Sequence, residues 1–281
     1  MSEENAAKAQ IHNKIFICGQ IIAETGLHIG GNSVGLAIGG VDNVVVRNPL
    51  NNQPYIPGSS LRGKMRSLLE RLYGLESSDS KFGGFSFEEK ETKDGKTKYT
   101  AGPGKNPNTL LGMLFGIAAD SKGELPSPTR LIVRDAPLSD ESVAALKNAP
   151  NLDMPLTEVK TEVVIDRITS AANPRQFERV PAGVIFNFCF VLTLLEEDVK
   201  EKRENELVNL VFKGLELLQE DALGGHGSRG YGQVKFKIPP LKCKTRQDYI
   251  DNVQKMSDYN FTIPDIFKPC ISGVDTPKVV L

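Results

Sequence analysis

The sequence predicts an α+β fold in which helices cover one face of an antiparallel sheet. Strand-like and helix-like segments are mixed along the 281 residues without the regular βαβ alternation of a parallel sheet. Two segments repeat apolar residues at helical spacing, and the run 184–195 (VIFNFCFVLTLL) is a strongly apolar strand candidate. A chain of this length folds as one large domain or two ordinary ones.

The elements follow in order along the chain. Strands are predicted at 14–24, 130–134, 159–165, 184–195 and 233–238, and helices at 60–73, 139–147 and 203–220. The helix 60–73 repeats Leu61, Met65, Leu68, Leu69 and Leu72 at helical spacing, takes Ser60 as its N-cap and ends at Gly74. The polar, glycine-rich segment 77–108 is expected to be a mobile surface insertion, and 166–183 an irregular connection.

Composition favours a cytoplasmic protein. The N-terminus has no basic stretch followed by an apolar run, so no signal peptide is predicted. The run 184–195 is too short to span a bilayer, so no membrane partner is expected. The four cysteines lack zinc-ligand spacing, a disulfide framework is not expected, and Cys18 and Cys189 are interpreted as small core hydrophobes.

Basic residues are concentrated in two stretches although the formal net charge is only −1. The range 222–246 contains no acidic residue, and 55–74 contains only Glu70. Their basic residues are Arg229, Lys235, Lys237, Lys242, Lys244 and Arg246 in the first, and Arg62, Lys64, Arg66 and Arg71 in the second. Such local patches indicate that the chain binds anions at particular surfaces rather than nonspecifically over its whole surface.

Two nucleotide-binding motifs fit only in part. Residues 58–65 resemble a P-loop, but Met65 stands where a hydroxyl should bind Mg²⁺, even though a Walker-B-like strand ends in Asp135. Residues 225–230 (GHGSRG) match a dinucleotide pattern, but a helix precedes them and a strand follows, which is the reverse of that fold. An NTPase remains the least favoured alternative.

The start of the helix 60–73 is a candidate phosphate site. A helix N-terminus offers free backbone N–H groups and a partial positive charge. Ser59, Ser60, Arg62, Lys64 and Arg66 would extend this site over more than one phosphate. The alternative is a capped surface helix with solvated charges.

Six segments, taken together and in order, resemble the backbone subunit of type III-A (Csm) CRISPR effector complexes, in the RAMP superfamily. They are LHIGG (27–31), IGGVDN (38–43), YIPGSSLRGKMRSLLE (55–70), RDAPLS (134–139), TEVKTEVVIDRITSAANPRQFERV (157–180) and LGGHGSRGYGQV (223–234). The resemblance covers most of residues 14–238. It implies a single domain, 1–281, with a ferredoxin-like, RRM-related core, a lid-like insertion at 77–108, a β-hairpin thumb at 159–184 and a variable tail at 240–281.

The resemblance also implies the partners and the RNA contacts. Copies of the chain would stack along CRISPR RNA in a helical filament, bind single-stranded target RNA and associate with other Csm subunits, including the large polymerase-like subunit and the small subunit. Ile168, Pro174 and Phe177 would be wedges between bases, while His226 is interpreted as incidental. The implied RNA contacts are His28, Lys160, Arg167, Arg175, Phe177, Arg179 and Arg229.

For catalysis the resemblance points to Asp42 in the loop IGGVDN. This carboxylate, with Mg²⁺ or Mn²⁺, would cleave target RNA once per subunit, using the 2′-OH of the RNA as nucleophile. Without the resemblance, a lone aspartate in a glycine-rich loop is a turn residue. His28 is a base or, more simply, an RNA contact. The competing interpretation is a non-catalytic subunit that only coats RNA.

Overall fold

The computed structural model describes residues 9–31, 43–77, 79–91, 94, 96–117 and 128–268. Its strands are β1 (Ile11–Ala23), β2 (Tyr55–Ile56), β3 (Phe85–Glu91), β4 (Thr97–Pro103), β5 (Leu131–Val133), β6 (Ala136–Pro137), β7 (Glu158–Ile165), β8 (Ala172–Arg179), β9 (Ile185–Leu195), β10 (Val234–Lys237), β11 (Lys242–Thr245) and β12 (Ser257–Asp258). Its α-helices are α1 (Gly58–Tyr73), α2 (Leu110–Phe115), α3 (Asp140–Lys147), α4 (Glu196–Lys200), α5 (Glu204–Glu220) and α6 (Arg246–Ile250). The mixture confirms the predicted α+β class.

A central antiparallel sheet organises the domain. Its strands run in the order β12, β11, β1, β9, β5, and β10 pairs with the second half of β1 on the same edge as β11. The long β1–β9 ladder forms because both strands alternate apolar residues that face one core. Two short strands, β2 and β6, pair separately beside α1.

The core lies between this sheet and the helices α1 and α5. Ile15, Ile17 and Ile21 of β1 are fully buried against Leu61, Met65 and Leu69 of α1 and the apolar face of α5. The two helices approach closely at Gly214, where an added Cβ would lie 3.0 Å from the Met65 side chain. The helical periodicity of the sequence therefore identified the buried face of α5 and most of that of α1, but Leu72, near the end of α1, is 52% exposed.

The first helix differs from its prediction at one end. It begins at Gly58, two residues earlier than expected, and its N-cap is Pro57, which makes no side-chain cap. The prediction of Ser60 as N-cap is therefore wrong, because proline's fixed φ already sets the entry of the chain. At the other end Gly74 adopts φ 83° and stops the helix as predicted.

Two hairpins project from the core. The first, β3 with β4, lies inside the segment 77–108, where the sequence predicted no regular structure. The second is β7 with β8, which pairs Glu158 with Arg179 through to Ile165 with Ala172. It falls in the region 159–184 for which the resemblance implies a thumb, and is called the thumb hairpin below. The interpretation of 166–183 as irregular is wrong for residues 172–179, which form a strand with few apolar residues to reveal it.

Cys18 and Cys189 form a disulfide between β1 and β9, where the two residues are directly paired. The interpretation of these cysteines as unpaired core hydrophobes is wrong, because strand pairing brings together side chains that are 171 residues apart in sequence. They lie with Phe16 and Val191 on the face of the sheet opposite the main core. Within the described residues, no helix is both long and apolar enough to cross a bilayer.

Candidate functional site at the base of the thumb hairpin

The structure holds the two ends of the segment 32–42 side by side. The Gly31 amide donates to the Val44 carbonyl at 3.0 Å, and the Val46 amide donates to the Ile29 carbonyl at 2.9 Å. Asp42, the predicted catalytic and metal-binding residue, lies outside the described residues. Its neighbour Asn43 is described, and it borders the thumb hairpin through a backbone bridge to Phe177.

A buried carboxylate fixes the residues that follow Asp42. Glu178 accepts from the Val45 amide at 2.8 Å, from the Thr157 hydroxyl at 2.6 Å and from the Arg47 guanidinium at 2.5 Å. Its own amide donates to the Asn43 carbonyl at 3.0 Å. A buried carboxylate needs such partners, since an unpaired one would be costly. The hairpin base and the start of the segment 43–47 are therefore one hydrogen-bonded unit.

A pocket of about 300 Å³ opens next to Asn43. Its remaining walls are Glu162, Val164, Arg175, Phe177, His226 and Arg229. Two guanidinium groups and one imidazole thus surround a space beside Asn43, the residue that follows the candidate catalytic Asp42 in sequence. Guanidinium groups bind phosphate in a fixed, two-pronged geometry. The pocket can accept part of a phosphodiester chain.

His28 lies beneath this pocket and is 7% exposed. Its Nδ1 is 2.6 Å from the Glu178 carbonyl oxygen, which can only accept, so Nδ1 carries the proton. The Gly225 amide donates to the His28 carbonyl at 2.9 Å, which joins the glycine-rich loop to the same cluster. The RNA contact that the resemblance implies for His28 stays a prediction.

The glycine-rich loop supplies the histidine that lines the pocket. His226 adopts φ 61°, its ring centroid lies 4.4 Å from that of Phe177, and it lines the pocket wall. Gly224 permits this close packing, because an added Cβ would lie 2.2 Å from the His28 carbonyl oxygen at φ +80°. Sequence reasoning set His226 aside as incidental, and the structure places it at the site.

The cations of the thumb hairpin divide into exposed and paired groups. Arg167 and Arg175 are exposed, and Arg175 borders the pocket. Arg179 pairs with Glu158 at 2.6 Å, Arg229 pairs with Glu162 at 2.8 Å, and Lys160 lies 4.6 Å from the Tyr231 ring centroid. Burial, followed by the neighbouring Glu162 carboxylate, raises the pKa of Tyr231 to about 12. These contacts hold the hairpin base together and join it to the glycine-rich loop, which carries Arg229 and Tyr231.

The apolar wedge candidates also separate by exposure. Ile168 at the hairpin tip is 94% exposed and Pro174 is exposed as well. Phe177 is 6% exposed, because its side chain turns inward against His226. The geometry therefore favours Ile168 as a wedge between bases and gives Phe177 the position of a pocket wall.

Three cations of α1, Arg62, Lys64 and Arg66, are occupied by contacts inside the chain. Arg66 donates to Glu70 at 2.7 Å and to the Gly116 and Gly104 carbonyls at 2.8 and 3.1 Å. Arg62 donates to the Phe115 carbonyl, and Lys64 pairs with Asp221 at 3.0 Å. Burial, and then the nearby Arg66 charge, lower the pKa of Arg62. RNA binding by these three residues stays a prediction and would require these contacts to be exchanged.

The helix start itself is partly occupied. The Asp135 carboxylate accepts from the Gly58 amide at 2.7 Å, so the chain supplies its own anion at this helix N-terminus. Ser59 is exposed there and Ser60 is half-buried. In the sequence Asp135 resembled the aspartate of a Walker B motif. In the structure it accepts from the first amide of α1 instead, which is not the role of that aspartate in a P-loop protein.

A complete set of metal ligands is not found within the described ranges, where no three His, Cys, Asp or Glu residues are grouped to hold an ion. Glu162, the carboxylate that lines the pocket, is paired with Arg229. The pKa of Glu162 is lowered: desolvation opposes the shift, but Tyr231, Arg229 and Lys160 outweigh it.

Comparisons with known proteins agree on one family. The model of the RAMP superfamily matches residues 20–235. A "CRISPR system Cms endoribonuclease Csm3" from Streptococcus thermophilus is 40% identical over 236 residues, which cover 83% of this chain and 90% of the relative. The protein of the same name from Methanocaldococcus jannaschii is 38% identical over 253 residues, covering 88% of this chain and 89% of the relative.

Solved structures show the same architecture. The chain is similar to one in the "Crystal structure of Csm3-Csm4 subcomplex in the type III-A CRISPR-Cas interference complex", with a TM-score of 0.50, 29% identity and coverage of 89% of this chain and 90% of that one. The crystal structure of Csm3 from Methanopyrus kandleri gives a TM-score of 0.55 at 20% identity, covering 86% of this chain and 80% of that one, which supports the fold alone.

Proposed function

The chain belongs to the RAMP superfamily and within it to the Csm3 family, and from this membership we propose that it is the RNA-binding backbone subunit of a type III-A CRISPR effector complex and cleaves target RNA. The observation that supports this best in the structure is the pocket beside Asn43. It joins the segment that follows Asp42, the thumb hairpin and the glycine-rich loop. Three distant parts of the sequence thereby meet where RNA would be bound and cut.

Arg175 and Arg229 are the groups of this pocket that suit the RNA backbone. Each places a guanidinium on the pocket wall, and each can bind a non-bridging phosphate oxygen. RNA would displace Glu162 from Arg229, an exchange of one anion for another. The buried Glu178 network keeps Asn43 in place while this exchange occurs.

Cleavage uses the 2′-OH of the RNA as nucleophile. The 2′-hydroxyl loses its proton to water as its oxygen attacks the adjacent phosphorus. The bond from phosphorus to the 5′-oxygen breaks, and the leaving oxygen takes up a proton from water, so no net proton is consumed. The products are a 2′,3′-cyclic phosphate and a 5′-hydroxyl. Holding the 2′-oxygen, phosphorus and leaving oxygen in line accounts for a large share of such a rate enhancement. That alignment is the task of the pocket and the thumb hairpin.

Asp42 is the proposed carboxylate for a divalent cation, Mg²⁺ or Mn²⁺. Mg²⁺ commonly binds through one or two carboxylates and keeps water or substrate phosphate oxygens as its other ligands. Such an ion would stabilise negative charge on the scissile phosphate. A single protein carboxylate at this position is compatible with the lack of a ligand cluster in the described part of the chain.

The proposed partners follow from the same family. They are CRISPR RNA, target RNA, further copies of this chain in a filament, and the other Csm subunits, including the large polymerase-like subunit and the small subunit. The thumb hairpin carries Ile168 at its tip and Arg167 beside it, which is a suitable pair for separating bases and holding the backbone without reading sequence. We place this activity in the cytoplasm.

The test is Asp42→Asn in the assembled complex. The substitution keeps the shape of the side chain and removes its charge, so RNA binding and assembly should persist while target cleavage falls at least about 100-fold. Wild-type cleavage should require Mg²⁺ or Mn²⁺ and leave 5′-hydroxyl ends at regular spacing. Asp140→Asn, the same substitution at an exposed aspartate of α3 that does not line the pocket, serves as the matched control and should leave cleavage unchanged. Regular cleavage by Asp42→Asn would show that the chain coats RNA and that the cutting residue lies elsewhere.

A further inference from the structure

The central sheet has one face that no long helix covers in the described part of the chain. Residues that pair directly across an antiparallel sheet project to the same face. The core face contains Ile15, Ile17 and Ile21, against which α1 and α5 pack. The opposite face is crossed by the segment from α6 to Met256, which packs on Phe16 and Val191.

The basic run 222–246 places its lysines on this second face. Lys244 and Lys242 pair with Lys14 and Phe16 of β1, and Lys237 and Lys235 pair with Gln20 and Ile22. Because β10 and β11 share one edge of β1, these four lysines form a single row. The row extends over eight residue steps of β1, which is about 27 Å at about 3.4 Å per residue.

Two carboxylates, Asp258 and Asp248, lie near the end of the row formed by Lys242 and Lys244. Lys242 pairs with Asp258 at 2.6 Å, whereas Lys14, Lys235, Lys237 and Lys244 form no ion pair with any described carboxylate. Lys14 and Lys244 are directly opposite each other in the register, an arrangement of like charges that destabilises a sheet. An external anion would relieve this repulsion.

An aromatic ring lies at one end of the row. Tyr249 of α6 is 42% exposed, and the ammonium groups of Lys14 and Lys244 lie 5.8 and 4.9 Å from its centroid. Exposed aromatic rings beside lysines are the combination by which single-stranded nucleic acids are bound without sequence preference. Neutral side chains, Gln20 and Asn187, occupy the middle of the face.

We propose that this lysine row (Lys235, Lys237, Lys242 and Lys244, with Lys14) is a second surface for single-stranded RNA, separate from the thumb hairpin. A straight row of cations, of which only Lys242 forms an ion pair with a described carboxylate, matches a linear polyanion. Lysine is depleted in protein–protein interfaces, whose centres are apolar, so an acidic protein fits this face less well. None of these lysines lines the pocket beside Asn43, so the surface goes beyond the proposed cleavage and does not depend on it.

The test measures how RNA binding by the full chain depends on salt. Each phosphate contact on a single strand contributes about 0.7 to the slope of log K against log salt. The double variants Lys235→Gln/Lys237→Gln and Lys242→Gln/Lys244→Gln should each lower the slope by about 1.4. The control Lys98→Gln/Lys147→Gln removes two exposed charges elsewhere and should leave the slope unchanged. Photo-crosslinking of uridine-rich RNA should label peptides within 234–249.

Independence from the thumb hairpin is tested by combining variants. Arg167→Gln/Arg175→Gln should lower the slope by a similar amount, and the effects should add, as they do for separate sites. An unchanged slope in both lysine double variants, without crosslinks in 234–249, would overturn the proposal. If the lysine double variants lose binding to polyglutamate but keep the salt slope of RNA binding, the face binds an acidic protein, and this result would also overturn the proposal. Failure of Asp42→Asn to stop cleavage would leave this result untouched.

Discussion

The buried ion pair between Arg130 and Asp198 allows a quantitative prediction of stability. Arg130 Nε donates to Asp198 Oδ2 at 2.9 Å and Arg130 Nη2 donates to Oδ1 at 3.1 Å, with both side chains at most 1% exposed. The pair joins the start of β5 to α4, where Asp198 also accepts from the amide of Leu195, the last residue of β9, at 2.9 Å. It therefore closes one end of the central sheet.

Asp198→Asn should lower the free energy of unfolding by about 3–5 kcal/mol, because it leaves a buried guanidinium without its counter-charge. That is a large part of the roughly 5–15 kcal/mol typical of a whole domain. Arg130→Met should cost less, since Arg203 lies 3.8 Å from Asp198 Oδ1 and partly replaces the lost charge. The double variant Arg130→Met/Asp198→Leu should recover most of the loss, because it leaves no unpaired charge.

Urea denaturation of the purified chain, followed by circular dichroism, measures these differences. The matched control is Glu216→Gln, which breaks an exposed pair with Lys213 at 2.6 Å and should cost no more than about 0.5 kcal/mol. A loss below about 1 kcal/mol for Asp198→Asn, comparable to the control, would refute the assignment of this pair as a buried brace. So would a double variant less stable than Asp198→Asn.

Three further outcomes are expected. Glu178→Gln should speed amide hydrogen exchange at 43–47 more than elsewhere, because the contacts from Val45, Thr157 and Arg47 converge on the Glu178 carboxylate. An equal increase in exchange across the whole domain would contradict this local anchoring. The segment 159–184 should be cut by protease in the free chain and protected by CRISPR RNA, since its tip is exposed; equal cutting in both states would argue against RNA contact. Lys64→Gln should lower the salt slope of RNA binding by about 0.7 without changing the free energy of unfolding. Arg66→Ala should instead lower the free energy of unfolding, because three hydrogen-bond acceptors lose their donor. An unchanged salt slope for Lys64→Gln would show that α1 does not bind phosphate.

The sequence by itself determined the α+β class, the apolar faces of α1 and α5, and the long strands β1 and β9. These features depend on local periodicity, which a single segment displays without its neighbours. The resemblance in six segments added the family and the thumb hairpin. It also supplied Asp42, whose loop contains no pattern that distinguishes a catalytic carboxylate from a turn residue.

Only the tertiary structure brought Asn43, Glu178 and His226 into one site, because their contacts join segments up to 183 residues apart, from Asn43 to His226. It likewise joined Cys18 to Cys189 and turned the basic run 222–246 into a straight row on one face of the sheet. Strand register decides which side chains are neighbours, and register depends on partners that are distant in sequence. The physical chemistry of each residue is local, but its partners are set by the fold.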